Sequence, residues 1–92
     1  MNYKLAKQFG LAETAFLGYV KSIYDAKVEN GEIHPDEAVG ISRKQFTEDL
    51  GVSMNTQIRF ERLFEDAKYF SVSRNNGAGS PNTYKLNKIA LK

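Results

Sequence analysis

Residues 42–66 read SRKQFTEDLGVSMNTQIRFERLFED, and they predict two helices joined by a tight turn. Ser42 begins the first helix as an N-cap, and Gln45, three residues later, completes a capping box. Gly51 stands where that helix must end, because glycine adopts the left-handed conformation of a helix C-terminus without steric cost. Ser53 then caps the second helix by accepting a hydrogen bond from a free backbone N–H group. Two helices and a short glycine turn are typical of a helix-turn-helix.

The second helix of this pair divides into two faces when successive residues are placed about 100° apart. The face predicted to pack on the core comprises Phe60, Leu63, Phe64 and Ala67, continued toward the N-terminus by Thr56 and Ser53. The opposite face carries Asn55, Ile58, Arg59 and Arg62. Arginine binds guanine edges or phosphates, asparagine binds adenine, and an aliphatic side chain contacts the thymine methyl group. For an isolated helix we would favour a solvated face, but the capped helix before it and the segment after it favour DNA contact.

The following segment, residues 69–87, reads YFSVSRNNGAGSPNTYKLN and predicts a β-hairpin. Both of its ends alternate aromatic or apolar residues with polar ones, as half-buried strands do. Its middle, residues 75–82, is rich in Asn, Gly, Ser and Pro, which favour turns. The alternative for the run GAGS is a phosphate-binding nucleotide loop. Such a loop opens a helix, however, whereas here Pro81 leads into another strand.

The chain therefore combines the run SRKQFTEDLGVS, a helix ending at the bulky pair Tyr69 and Phe70, and the run VSRNNGAGSPNTYKLN. In this combination it resembles the winged-helix domains of phage and plasmid replication initiators of the replisome-organizer type, in which the hairpin is the wing. Residues 5–20, LAKQFGLAETAFLGYV, are similar to the first helix of those domains. The sequence departs from the family pattern at Lys68, where glycine often precedes the hairpin, and at Gln57, where an apolar core residue is common.

The resemblance covers about residues 5–86 and implies an α+β fold, a winged helix-turn-helix with three helices and a β-hairpin wing. We expect one domain over residues 1–92, with the first helix at about 11–27, the helix-turn-helix at 42–67 and the wing at 69–87. The resemblance also implies a role in phage or plasmid DNA replication or maintenance. Winged-helix transcriptional repressors share most of these signals, so transcriptional regulation is the alternative role.

Composition bounds the class of protein. A chain of 92 residues with 41% hydrophobic and 12% aromatic content forms one small domain with a modest core. The absence of cysteine excludes disulfides and thiolate metal sites. No apolar run approaches the roughly 20 residues needed to cross a bilayer, and the N-terminus lacks a signal-peptide core. We therefore expect a soluble cytoplasmic protein with neither a membrane nor a small-molecule substrate as its partner.

Charge is unevenly distributed along the chain. The net charge is only +2, but residues 1–40 carry −2 and residues 41–92 carry +4. From residue 69 onward there are four Lys or Arg and no acid. A basic half that contains both the helix-turn-helix and the wing favours contact with phosphates, although a solvated surface can show such asymmetry by chance.

Double-stranded DNA is the predicted partner, and the interface residues follow from the predicted faces. We expect base contacts from Asn55, Thr56, Arg59 and Arg62. We expect backbone contacts from Ser42, Arg43, Lys44, Ser53, Arg74, Asn76 and Lys85. The first helix of a helix-turn-helix crosses the DNA backbone, which is why its N-terminal cations belong to the second group.

The first helix, about residues 11–27, carries a broad apolar arc. One stripe holds Phe16, Val20, Ile23 and Lys27, and the arc is widened by Leu17, Tyr19 and Tyr24. Such an arc is explained equally well by a homodimer through this helix or by cover from the wing strands and the C-terminal tail. In the turn-rich segment that follows, Ile33, Val39 and Ile41 are candidates for a short strand that pairs with the hairpin.

Catalytic and metal sites are weakly indicated. His34 lies beside Asp36 and Glu37, but one imidazole with loop carboxylates makes a poor metal site, so a solvated loop is favoured. The acidic pairs at 48–49 and 65–66 are interpreted as solvent faces, because acid–base catalysis needs a pocket. We expect no enzymatic activity and no cofactor. A winged helix that binds other proteins instead of DNA remains the alternative from a different class.

Overall fold

The computed structural model describes residue 7, residues 10–74 and residues 81–87. Within these residues the elements follow in the order α1 (Leu11–Glu29), β1 (Val39–Ile41), α2 (Arg43–Leu50), α3 (Met54–Asp66), β2 (Phe70–Ser73) and β3 (Asn82–Leu86). Three helices and a three-stranded antiparallel sheet thus form a small α+β domain, an arrangement compatible with a winged helix. The predicted hairpin tip, including Asn76, lies outside the described residues.

The predicted caps of α2 and α3 are confirmed. The Ser42 hydroxyl accepts a hydrogen bond from the Gln45 backbone N–H at 3.1 Å, and the Gln45 side chain accepts one from the Ser42 N–H at 3.1 Å. Gly51 ends α2 with φ 66°, a left-handed conformation that suits glycine. The Ser53 hydroxyl accepts from the Thr56 N–H at 3.4 Å. These are local interactions between residues three positions apart, which is why the sequence is sufficient to predict them.

The sheet has the strand order β1-β3-β2, so the last strand is central. Tyr84 on β3 pairs with Val39 on one side and with Val72 on the other, and both pairings are antiparallel. The predicted hairpin of β2 and β3 and the short strand containing Val39 and Ile41 are therefore confirmed. Ile33 lies outside that strand.

An aromatic core joins the helices to the sheet. Phe16 of α1 stacks on Phe46 of α2 with ring centroids 4.7 Å apart, and its edge meets Phe60 of α3 at 5.5 Å. Tyr84 of β3 makes edge contacts with Phe46 at 5.7 Å and with Phe70 of β2 at 5.6 Å. All five rings are nearly or fully buried, so one core fixes the position of α3 relative to the hairpin.

The broad apolar arc of α1 is largely covered within the chain. Leu17 and Tyr24 are buried, and the Tyr24 hydroxyl donates to the Pro35 carbonyl. The half-buried Tyr19 ring packs on Phe46, and its hydroxyl donates to Asp49 of α2 at 2.5 Å. In the described part of the chain the cover thus comes from α2, from Phe60 of α3 and from the segment before β1. The tail beyond residue 87 is not described, and the predicted homodimer through α1 stays a prediction.

The joint between α3 and β2 passes through Lys68, one of the two positions at which the sequence departs from the winged-helix domains that it resembles. Lys68 has φ 64°, the left-handed conformation that glycine would adopt without strain. The residue is held on both sides, because the Tyr69 N–H donates to the Phe64 carbonyl at 2.9 Å and the Asn87 side chain donates to the Lys68 carbonyl at 3.0 Å. A lysine here costs about 1 kcal/mol relative to a relaxed conformation.

Candidate nucleic-acid interface

The buried face of α3 differs from the predicted one. Phe60 and Phe64 are buried as expected, but Leu63 is 36% exposed and Ala67 is exposed. The remaining buried positions are polar, since Gln57 and Glu61 are both 0% exposed. The buried face is therefore turned by roughly 60° from the prediction. The prediction was wrong here because counting apolar residues ignores polar side chains that find partners inside the domain.

Gln57 ties α3 to the preceding turn and to α2. Its side-chain nitrogen donates to the Val52 carbonyl at 2.8 Å and to the Thr47 hydroxyl at 3.1 Å. Its side-chain oxygen accepts from the Arg43 guanidinium at 3.3 Å. A buried amide with this many partners is satisfied, so glutamine fits at a position where the winged-helix domains that the sequence resembles commonly have an apolar residue.

Glu61 is the centre of a buried charged cluster. Its carboxylate accepts two hydrogen bonds from Arg43, at 2.6 and 3.0 Å, and one from the Tyr84 hydroxyl at 2.6 Å. A second arginine, Arg74, lies 3.5 Å from the same carboxylate. Burial raises the pKa of Tyr84 well above its usual range, and the hydrogen bond to Glu61 raises it further. The cluster links α2, α3 and β3 through one buried side chain.

Sequence reasoning did not find Glu61, although a signal for it exists. Glu61 follows Gln57 by four residues and lies between Phe60 and Phe64, so it belongs to the same helical stripe as both aromatic residues. A carboxylate on an apolar stripe requires a cationic partner. That partner, Arg43, lies 18 residues earlier and on another helix, so the pairing becomes visible only in the folded chain.

Arg74 connects the base of the hairpin to α3. Its guanidinium donates to Glu65 at 2.8 Å, and this hydrogen bond is the main reason why the pKa of Arg74 is raised. The sequence analysis had interpreted Glu65 as part of a solvent face, and this is wrong, because Glu65 is an ion-pair partner of Arg74. Arg74 and Arg43, both predicted phosphate contacts, each have a carboxylate that a phosphate would have to replace or join.

The outer face of α3 consists of Asn55, Arg59 and Arg62, all of which are exposed. Within residues 10–74 and 81–87, their side chains form no hydrogen bond and no ion pair. The Arg59 guanidinium lies over the Phe60 ring, at 5.4 Å from its centroid, in a cation–π contact. The three side chains lie about 180° from the buried face, which is where a groove-reading surface must lie.

The other predicted contact residues have mixed positions. Thr56 is half-buried at the edge of the outer face, and its hydroxyl accepts from the Ser53 hydroxyl at 3.0 Å. Ser42 and Ser53 act as helix caps. Lys44 is 82% exposed, with the Glu48 carboxylate 3.8 Å from its ammonium group, and Lys85 is exposed on β3. Ile58, predicted on the outer face, is half-buried beside it.

Two further features of the surface bear on other classes of function. A groove of about 470 Å³ lies between the end of α3 and the hairpin, where Lys68, Lys85 and Glu65 are among its lining residues. Among the described residues, no group of three or more His, Asp or Glu side chains is placed to hold a metal ion. No helix in this part of the chain is long and apolar enough to cross a membrane.

Comparison with known proteins identifies no relative of this chain. No family model, no curated protein and no solved structure matches this chain. The protein is thus a small α+β domain in which one helix turns outward, beside a β-hairpin, an Asn/Arg face that has no hydrogen-bond or ion-pair partner among the described residues.

Proposed function

We propose that this chain is a winged-helix protein that binds double-stranded DNA in a sequence-specific manner. In this proposal α3 enters the major groove, and the hairpin of β2 and β3, the wing, contacts the flanking backbone or minor groove. The observation that carries the proposal is the outer face of α3, where Asn55, Arg59 and Arg62 are exposed and form no hydrogen bond or ion pair with other described residues.

The chemistry of this face suits base edges. An exposed arginine without a carboxylate partner has all its donors available for the paired acceptors of guanine, and asparagine matches the donor and acceptor of adenine. Asn55 and Arg59 are one turn apart, so both side chains project in nearly the same direction. The Phe60 ring beneath Arg59 limits the directions in which its guanidinium can point, which reduces the entropy lost on binding.

Backbone contacts in this proposal come first from exposed lysines. Lys44 at the start of α2 and Lys85 on β3 are both exposed. Arg43 and Arg74 have lower priority, because Glu61 and Glu65 already neutralise them. The net +4 charge of residues 41–92 supports steering of this half toward a polyanion.

The biological role that we propose is replication or maintenance of a phage or plasmid, and it rests on the sequence resemblance alone. Transcriptional regulation through the same DNA contacts is the runner-up. In either role the protein acts in the cytoplasm by binding rather than by catalysis. Paired half-sites about one helical turn apart in a footprint would show that two copies bind together.

The proposal is tested by selecting bound sequences from a randomised duplex library and then titrating the selected and a random duplex at two salt concentrations. We expect tighter binding to the selected duplex and, on the random duplex, a loss of affinity of about 10³-fold or more between about 50 and 200 mM salt if some six phosphates are contacted. A chain that retains neither duplex at the lower salt concentration is not a DNA-binding protein. It would then belong with the protein-interaction modules.

The wing assignment has its own test in Lys85→Ala. Loss of one phosphate contact weakens binding to selected and random duplexes alike and makes the slope of log affinity against log salt shallower by about 0.9. Lys21→Ala is the matched control, because Lys21 is an exposed lysine on α1, in the acidic half of the chain. An unchanged slope for Lys85→Ala would remove β3 from the interface.

A further inference from the structure

Two arginines and two glutamates form a continuous chain of ion pairs behind the outer face of α3. Arg43 binds Glu61 at 2.6 Å, Glu61 lies 3.5 Å from Arg74, and Arg74 binds Glu65 at 2.8 Å. The four charges sum to zero. Arg43 and Glu61 form its buried end, whereas the Arg74 side chain is 42% exposed and that of Glu65 28% exposed at the surface beside the hairpin.

We propose that Glu65 is a specificity-determining residue that withholds Arg74 from DNA phosphates, with Glu61 as the second carboxylate that holds the same guanidinium. This inference rests on the proposed DNA-binding function and deepens it. It assigns to an acidic residue of α3 a role in suppressing binding to the wrong sequences.

The physical argument begins with what a random duplex offers. Phosphates are present at every sequence, so an unrestrained cation at the base of the hairpin raises affinity without reading bases. Arg74 must give up a 2.8 Å charge-assisted hydrogen bond before it can bind a phosphate. Holding Arg74 therefore lowers the affinity for random DNA.

Target and random complexes differ in how freely the protein can adjust. On random DNA the domain can shift until a released Arg74 meets a phosphate. On its target the base contacts of Asn55 and Arg59 fix the register, and thereby the place of the hairpin. Release of Arg74 consequently strengthens random binding more than target binding. The ratio between the two affinities falls.

The test is Glu65→Ala, measured on the selected and the random duplex. Alanine is the best helix former, and the residue is partly exposed near the end of α3, so the variant is expected to fold. We expect affinity for the random duplex to rise about two- to fivefold, the range for loss of a partly exposed ion pair. The salt slope on that duplex should steepen by up to about 0.9, and the gain on the selected duplex should be smaller.

Asp66→Ala is the matched control, because it removes the same charge from the neighbouring, exposed position of α3 without releasing an arginine. A gain from Asp66→Ala equal to that from Glu65→Ala would show a general charge effect and overturn the inference. In an Arg74→Ala background, Glu65→Ala should have no effect beyond that of Asp66→Ala in the same background. A persisting extra gain there would also overturn it.

The remaining outcomes separate this inference from the proposed function. If the wild-type chain binds no DNA, the proposed function fails first. If the wild type prefers its selected duplex while Glu65→Ala gives no gain on random DNA, or equal gains on both duplexes, only the role of Glu65 is wrong.

Discussion

The two sides of α3 carry similar residue types, but the inner side buries them and the outer side exposes them. The inner side buries Gln57 and Glu61, and in the described part of the chain no buried side-chain nitrogen or oxygen lacks a hydrogen-bond partner. The outer side exposes Asn55, Arg59 and Arg62 without a polar partner in that same part. An amide and a charged group thus occur on both sides, so residue type alone does not separate structural from binding positions.

What separates the two sides is the supply of partners. A buried polar group costs free energy unless it is paired. The inner residues Gln57 and Glu61 can be buried because α2 and β3 supply their hydrogen-bond partners. An exposed arginine has no such requirement and leaves its donors free for another molecule. The comparison predicts that substitutions on the inner side of α3 change the stability of the domain, whereas substitutions on its outer side change DNA binding.

The largest effect is expected for Glu61→Ala. Removing this carboxylate leaves the partly buried Arg43 charge without a counter-ion and takes away the hydrogen-bond acceptor of the buried Tyr84 hydroxyl, which costs about 3–5 kcal/mol of the free energy of unfolding. Urea denaturation measures this loss. Asp66→Ala is the exposed control on the same helix and should change stability by less than about 0.5 kcal/mol. Equal losses for the two variants would contradict the structural role of the inner side.

Arg59→Ala tests the opposite side and comes next in size. We expect a loss of about 1–3 kcal/mol in binding to the selected duplex, together with relaxed preference at one base pair. The free energy of unfolding should stay within about 0.5 kcal/mol of wild type, because Arg59 is exposed and makes no ion pair with the described residues. If the variant bound both duplexes as the wild type does, Arg59 would not be a base contact.

Gln57→Leu is expected to have a smaller effect on stability. Leucine conserves the volume of the side chain but leaves the Val52 carbonyl and the Arg43 guanidinium with one hydrogen bond fewer, at a cost of about 1–2 kcal/mol. Thermal unfolding measures this cost, and Gln45→Ala on the exposed side of α2 calibrates the loss of one capping hydrogen bond. A more stable Gln57→Leu variant would mean that an apolar residue suits this core better than the hydrogen-bonded amide.

The smallest expected effect concerns Tyr19 and depends on pH. Burial and the hydrogen bond to Asp49 raise the pKa of Tyr19 from 10.0 to about 12. Because the folded pKa lies above the unfolded one, this stabilisation is complete below pH 10 and is lost as the pH rises toward 12. Tyr19→Phe should therefore be less stable than wild type by about 0.5–1 kcal/mol at neutral pH. The difference should shrink above pH 10 in paired urea titrations, and a constant difference would argue against this linkage.

The parts of the fold that could be predicted are those that depend on local sequence signals. The capping box at Ser42, the left-handed Gly51 and the hairpin strands depend on residues a few positions apart, and the structure confirms them. The orientation of α3 was predicted only in part, since the partners of Glu61 lie on α2, on β3 and after β2. The outward positions of Asn55, Arg59 and Arg62 were nevertheless predicted, because they lie opposite Phe60 and Phe64 in either orientation.

The left-handed Lys68 has a consequence for the length of the chain between α3 and the hairpin. One residue more or fewer at this joint would move Phe70 from the core to solvent and bring Ser71 inward, since neighbouring residues of a strand point to opposite sides. The carbonyl of Lys68 also accepts a hydrogen bond from the side chain of Asn87, which directly follows β3. This hydrogen bond prevents the hairpin from shifting its register to compensate for the change. The number of residues between α3 and the hairpin is therefore fixed, and we expect insertions to be tolerated at other loops but not at this joint.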